Sequence, residues 1–246
     1  MGWLNEPTTD TQISHGDRLW LYIISGFIVL LLVLPTLIVI PMSFSDSQFL
    51  EFPPQIWSLR WYTEYLNTPR WINATYVSFK VATLTMIVAT PLGTMAAYGL
   101  FIFNHPISKI IFCVLITPII VPLILIAIGT FYVFGQIGFT NTITGIVLAH
   151  SVLAIPLVMI IITSALRSYD MNQELVARSL GASRIRAFFE VTLPQIKFSI
   201  ITSALLAFIT SFDEVIISIF ISGGQTATLT KQMFSALRDY IDPTIA

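Results

Sequence analysis

Apolar residues fall in five long stretches that are separated by polar connections. These stretches run Leu19–Met42, Val77–Phe103, Ile107–Phe134, Ile143–Leu166 and Ile196–Ser222. A bilayer core about 30 Å thick takes roughly 20 apolar residues per helical span, so each stretch is long enough to cross a membrane. The pattern predicts an all-α, polytopic transmembrane bundle over residues 19–246, with five spans visible.

Composition supports this fold class and says little about partners. Hydrophobic residues make up 55% of the chain and charged residues 10%, with a mean hydropathy of +0.83. A water-soluble domain of this size does not need that much apolar surface. The net charge of −1 gives no indication of nucleic-acid binding. The single cysteine, Cys113, cannot form an internal disulfide, and we interpret it as a packing residue.

The positions of Lys and Arg orient the spans. If residues 1–18 form a cytoplasmic tail, seven of the 12 basic residues lie inside, and four of those seven lie between the fourth and fifth stretches. We therefore predict a cytoplasmic loop at residues 167–195 and a periplasmic segment at residues 43–76. No signal-peptide pattern precedes the first stretch, so we expect it to be retained as an anchor.

The segment 43–76 is rich in aromatic residues. We interpret them as an interfacial helix at the level of the lipid headgroups, and the alternative is an aromatic cage for a ligand. They are Trp57, Trp61, Tyr62, Tyr65 and Trp71.

The C-terminal residues predict a further helix. Asp242 followed by Pro243 is typical of a helix start, and the sequence ends three residues later at Ala246. We predict a sixth span that is missing from this sequence. The alternative is a chain that ends outside the membrane.

The loop 167–195 carries signals for two short helices joined at an angle. Asp170 can cap the first helix, with Gln173 in the position of a capping box. Gly181 suits the left-handed residue that ends it. Ser183 can cap the second helix, which we expect to run to Pro194.

One face of the first of these helices is apolar. Leu175, Val176 and Leu180 share it, and such a face usually requires a partner groove. The alternative is that these side chains pack back on the ends of the protein's own spans.

The loop resembles the "EAA" loop of permease subunits in ATP-binding-cassette importers. The sequence Glu174-Leu175-Val176-Ala177 is followed by Gly181-Ala182-Ser183 and, ten residues later, by Leu193-Pro194. The spacing of the family pattern is kept, but Leu175 stands where the family usually has glutamate, and Glu174 lies one position early. A salt bridge made by that family glutamate therefore cannot simply be transferred to this chain.

The resemblance implies a bacterial inner-membrane permease with a type I importer fold. It implies that the loop is a coupling helix docked in a cleft of an ATPase subunit, with the bend at Gly181. The implied partners are ATP-binding-cassette subunits that bind the ATP, a second, different permease subunit, a periplasmic solute-binding protein and the lipid bilayer. No cofactor of its own is implied.

A second similarity lies in the fifth stretch. The sequence Ser211-Phe212-Asp213-Glu214-Val215 resembles permeases of the spermidine/putrescine type. The resemblance implies a small cationic cargo such as a polyamine. The alternatives within the same family are other organic cations, opines, aminoalkylphosphonates and ferric iron.

Asp213 and Glu214 are candidate residues of the substrate pathway, together with Phe212. A carboxylate within a span costs at least about 2.5 kcal/mol and usually faces a partner or an aqueous cavity. Adjacent helical residues point about 100° apart, and we expect Asp213 to face the pore. The alternatives are a structural ion pair, for instance with Lys80, or a carboxylate already in water at a helix end.

Absent motifs argue against an enzyme. The sequence has no phosphate-binding glycine loop, no nucleophile elbow and no histidine or cysteine spacing for a metal, and we interpret His150 as a helix-contact histidine. The rivals from other classes are a membrane enzyme or scaffold and a secondary transporter. A secondary transporter would be expected to show inverted repeats, which the five stretches do not.

Overall fold

The structure is a computed structural model that describes residues 14–103, 105–239 and 244. The chain divides into two compact units, residues 1–67 with 240–246 and residues 68–239. The helix start predicted at Asp242 and Pro243, and most of the predicted tail 1–18, lie outside the described residues.

The first unit contains a span and a short folded segment. Helix α1, Leu19–Met42, has the bounds that the apolar pattern predicts and buries none of its residues. The segment after it leads into helix α2, Arg60–Asn67. Tyr62 of α2 shares a 2.7 Å hydrogen bond with Ser43, and its ring lies 5.3 Å from that of Phe44.

The core of the second unit consists of three packed helices. They are α3, Pro69–Phe103, α6, Ile143–Ser168, and α10, Lys197–Phe212. Trp71, which was assigned to the interfacial group, is instead buried in the first turn of α3.

Helices α3 and α6 approach closely at a glycine. A Cβ atom on Gly93 would lie 2.7 Å from the side chain of Val158, whereas one on Gly99 would meet nothing within 4 Å. The small residue at position 93 therefore serves contact within this chain.

The third apolar stretch is two helices and not one straight span. Helix α4, Pro106–Ile120, and helix α5, Leu123–Ile137, are bent by 100° relative to each other. The break follows from Pro122, because the residue before a proline is pushed out of the helical region, and Val121 is extended with ψ 132°.

The remaining elements follow α6. They are α7, Asn172–Ser179; α8, Arg184–Ala187; a π-helical stretch, Phe188–Thr192; α9, Leu193–Gln195; α11, Ile216–Ile221; a 3-10 turn, Gly224–Thr226; and α12, Leu229–Asp239.

The fifth apolar stretch is also broken, between α10 and α11 at residues 213–215. Among the described residues, three helices are long and apolar enough to cross a membrane, or up to five if each bent pair counts as one span.

Candidate functional sites

The loop 167–195 folds as two short helices that meet at a glycine. Helix α7 is followed by Gly181 with φ +98°, the left-handed conformation that glycine adopts without strain. The hydroxyl of Ser183 accepts a hydrogen bond from the Arg186 amide and begins α8. Asp170 accepts one from the Asn172 amide at the start of α7. The second helix continues beyond Pro194 to Gln195.

Glu174 fixes α7 to the bundle. Its carboxylate is buried and accepts hydrogen bonds from the hydroxyl of Tyr98 at 2.7 Å and from that of Thr192 at 2.6 Å. The Tyr98 ring also lies 4.5 Å from the ring of Phe188. Hydrogen bonds to a charged group contribute about 1.5–3 kcal/mol each, so this contact holds the short helix against α3.

The apolar residues of α7 point away from the unit. Leu175 and Val176 are more than half exposed and Leu180 is 84% exposed. Ile185 and Phe189 of the second helix are exposed as well. The alternative in which Leu175, Val176 and Leu180 pack back on the protein's own spans is therefore wrong.

The other residues of the predicted loop site lie around this hinge. Ala177, Ala182 and Leu193 are half-buried, whereas Gly181, Ser183 and Pro194 are exposed. The structure thus separates one inward carboxylate, that of Glu174, from an outward apolar face.

The second candidate site lies at the break between α10 and α11. Asp213 ends α10 and is exposed, whereas Glu214 is buried. The two carboxylates therefore have different surroundings, and they lie in the break between the two helices and not on one continuous helix. No ion pair joins Asp213 to Lys80 within the described chain, and the ammonium of Lys80 lies 5.7 Å from the ring centre of Tyr76.

Glu214 makes the break possible by capping α11. Its two carboxylate oxygens accept hydrogen bonds from the amides of Ile217 at 2.8 Å and Ser218 at 3.0 Å. These amides have no partner within the first turn of a helix. The carboxylate also lies 3.4 Å from Nε2 of His150.

His150 connects this cap to three helices. Its Nδ1 lies 2.8 Å from the hydroxyl of Ser211, which in turn donates to Thr85 at 3.3 Å. Its Nε2 lies 3.3 Å from the hydroxyl of Ser218. All of these side chains are buried, and His150 is a satisfied helix-contact histidine, as predicted.

Aromatic rings surround the residue that precedes Asp213. The ring of Phe212 lies 5.1 Å from that of Phe79 and stacks on Phe208 at 5.9 Å. Phe79, on α3, is exposed. Within the described residues, no group of three metal-ligating side chains exists. The site consists of an exposed carboxylate, that of Asp213, which follows the aromatic residue Phe212 in the chain.

The side chain of Lys231 binds the C-terminal end of α11. Its ammonium donates to the carbonyls of Ile219 and Ser222, and burial lowers its pKa. Sequence reasoning missed Lys231, Tyr98 and Thr192. For Tyr98 and Thr192 the sequence signal was Glu174, because a carboxylate beside an apolar face needs hydrogen-bond donors once it is buried.

The comparisons with known proteins all find components of transport systems. Residues 89–245 match the family described as binding-protein-dependent transport system inner membrane component. The chain is 33% identical to the putrescine transport system permease protein PotI of Escherichia coli K12, over 86% of this chain and 77% of that protein. It is 26% identical to the spermidine/putrescine transport system permease protein PotC of Haemophilus influenzae, over 87% and 83% respectively.

Two further similarities are to transport proteins that are named for other substrates. The chain is 32% identical to the molybdenum transport system permease protein ModB of Escherichia coli K12, over 70% of this chain and 82% of that protein. It superposes with a TM-score of 0.70 on a bacterial ABC transporter involved in the import of the polysaccharide alginate, with 14% identity over 95% of this chain and 90% of the other.

Proposed function

Because this chain belongs to the inner-membrane components of binding-protein-dependent transport systems, we propose that it is one of two permease subunits of an ATP-driven importer. It contributes half of the pore and no catalytic group. ATP is bound and hydrolysed by separate cassette subunits, and a periplasmic binding protein delivers the cargo. The N-terminus and the loop 167–195 face the cytoplasm.

The loop transmits the movement of the ATPase subunits to the helix bundle. Its exposed apolar face, formed by Leu175, Val176 and Leu180, inserts into a groove of a cassette subunit. The carboxylate of Glu174 connects the same helix to α3 through Tyr98. Movement of the cassette subunits is therefore passed to the bundle, which alternates between outward-open and inward-open states.

The cargo is a small cation, a polyamine such as putrescine or spermidine. The observation that carries this proposal is the exposed carboxylate of Asp213, which directly follows Phe212 in the chain, and Phe212 packs against Phe79 and Phe208. An acidic group attracts an alkylammonium ion, and aromatic faces bind one with about 0.5–2 kcal/mol each. The related permeases are named for putrescine and spermidine transport.

The alternative cargoes differ in charge. Aminoalkylphosphonates carry a negative group, opines carry carboxylates, and the relative ModB is named for molybdenum transport. An unpaired carboxylate in the pathway opposes an oxyanion, since like charges repel in a low-dielectric site. Ferric iron needs several oxygen ligands, and the described residues bring no such group together.

Neutralising Asp213 tests the cargo. In the complete transporter, Asp213→Asn removes a charge-assisted contact of about 1.5–3 kcal/mol, so KM for putrescine uptake should rise at least about tenfold. Asp17→Asn, which neutralises another exposed carboxylate, should leave uptake unchanged. Normal uptake by Asp213→Asn, or uptake of molybdate and not putrescine by the wild type, would refute the cationic pathway.

The rival class is a secondary transporter, which is driven by an ion gradient. Uptake by the wild-type transporter in proteoliposomes should require internal ATP and continue without an ion gradient. Purification without any ATPase subunit, together with uptake that persists after ATP depletion, would show that the importer proposal is wrong.

A further inference from the structure

A cavity of about 900 Å³ borders the loop site, since Glu174 and Leu175 are among its lining residues, and it lies apart from the break at residues 213–215. It is formed where the ends of α3 and α6 meet the starts of α4 and α7. Its walls are largely apolar, from Ala97, Leu100, Phe101, Phe112 and Cys113. Cys113 is exposed, so its assignment as a packing residue was wrong.

The rim of the cavity is basic. Lys109, Arg167 and Arg178 line it, and none of the three has an ion-pair partner in the described part of the chain. Glu174 is the one carboxylate among the lining residues, and both of its oxygens already accept hydroxyl hydrogen bonds. Three cations and one carboxylate leave the lining with a net charge of +2 over an apolar wall.

Two hydroxyl groups in the wall have no partner. The side-chain oxygens of Ser108 and Thr163 are buried and make no hydrogen bond to any described residue, and Ser108 as a whole is only 8% exposed. Leaving such a group unsatisfied costs about 1–3 kcal/mol. Both residues line the cavity, but their oxygen atoms are closed to solvent, so these hydroxyls are not counted among the groups that face a ligand.

We propose that this cavity binds an anionic phospholipid of the surrounding bilayer. The headgroup phosphate lies against Lys109, Arg167 and Arg178. Basic pockets between membrane helices on the cytoplasmic side bind such headgroups.

The apolar wall selects a lipid over a soluble anion. Helix α4 continues from the cavity with exposed apolar side chains, among them Ile110 and Val114. Acyl chains can follow this surface, whereas free phosphate gains nothing from it. The choice of the cytoplasmic leaflet rests on the proposed orientation, but the lipid site does not depend on the cargo.

Cys113 supplies the readout. It is the only cysteine of the chain, it lines the cavity and it is exposed, so its reaction with a maleimide reports whether the cavity is filled. The intact, delipidated transporter in detergent is labelled with added phosphatidylglycerol, phosphatidylcholine or inorganic phosphate. Mass spectrometry of the peptide containing Cys113 gives the labelling rate.

Phosphatidylglycerol should slow labelling several-fold, whereas the other two additions should leave the rate unchanged. The double variant Lys109→Gln with Arg167→Gln should lose this protection. The matched variant Arg184→Gln with Lys197→Gln, two exposed basic residues of the same side that do not line the cavity, should keep it.

Three results would overturn the proposal. Equal protection by phosphatidylcholine would show an apolar groove without recognition of the anion. Protection by inorganic phosphate alone would show a soluble-anion site. Undiminished protection in the Lys109/Arg167 variant would show that the basic rim does not bind the lipid. Native mass spectrometry of the wild-type complex gives a second readout, in which phosphatidylglycerol should be retained in preference to phosphatidylcholine.

Discussion

Two neighbouring carboxylates lie in different surroundings at the break between α10 and α11, and we propose a functional role for only one of them, Asp213. Glu214 is buried, caps α11 and contacts His150, whereas Asp213 is exposed and makes no ion pair among the described residues. The sequence predicts that only one of the two faces the pathway, because of their angular separation. It does not show that Glu214 turns back onto the amides of Ile217 and Ser218, since that depends on where the helix breaks.

Alanine substitutions at Asp213 and Glu214 show which of the two carboxylates stabilises the fold. Glu214→Ala removes the cap and leaves His150 without its buried partner, so the free energy of unfolding should fall by about 3–5 kcal/mol. Asp213→Ala should change it by less than about 0.5 kcal/mol, as surface substitutions do. Unfolding of the purified chain in mixed micelles measures both. An equal loss of stability in the two variants would contradict the assignment.

For the helices, local sequence signals predict bounds and turns well. Contacts between residues far apart in the sequence are not predicted. The bounds of α1 follow from hydropathy, and the bend at Gly181 follows from the need for a positive φ. Glu174 signals a need for hydrogen-bond donors, but which residues donate could not be predicted, because Tyr98 lies 76 positions away. The break at residues 213–215 has no proline or glycine to signal it, and the hydrogen bonds that stabilise it come from the tertiary fold.

The close approach of α3 and α6 gives a matched pair of glycine substitutions. Gly93→Ala places a methyl group 2.7 Å from Val158, and overpacking of this kind costs about 1–3 kcal/mol. Gly99→Ala meets no neighbour within 4 Å and should leave stability unchanged or slightly raised. Thermal unfolding in detergent compares them. A Gly93→Ala protein as stable as Gly99→Ala would show that the two helices are not packed as described.

At the scale of the whole molecule, family membership and fold agree with the resemblance found in the loop and the fifth apolar stretch. The resemblance to importer permeases is confirmed by the match over residues 89–245 and by the relatives PotI and PotC. The third and fifth stretches are bent, so apolar length alone overstates how many straight spans the chain contains. The sixth span and the orientation of the N-terminus stay predictions.

Cysteine cross-linking tests the proposed contact between α7 and an ATPase subunit on the cytoplasmic side. With Cys113→Ser as background, Leu180→Cys replaces the 84% exposed residue of the apolar face. Phe49→Cys places a control thiol at an exposed position of the proposed periplasmic segment 43–76. Leu180→Cys should cross-link to the ATPase subunit and resist a membrane-impermeant thiol reagent added to spheroplasts, whereas Phe49→Cys should react with that reagent. Labelling of Leu180→Cys from outside, without a cross-link to the ATPase, would contradict the account.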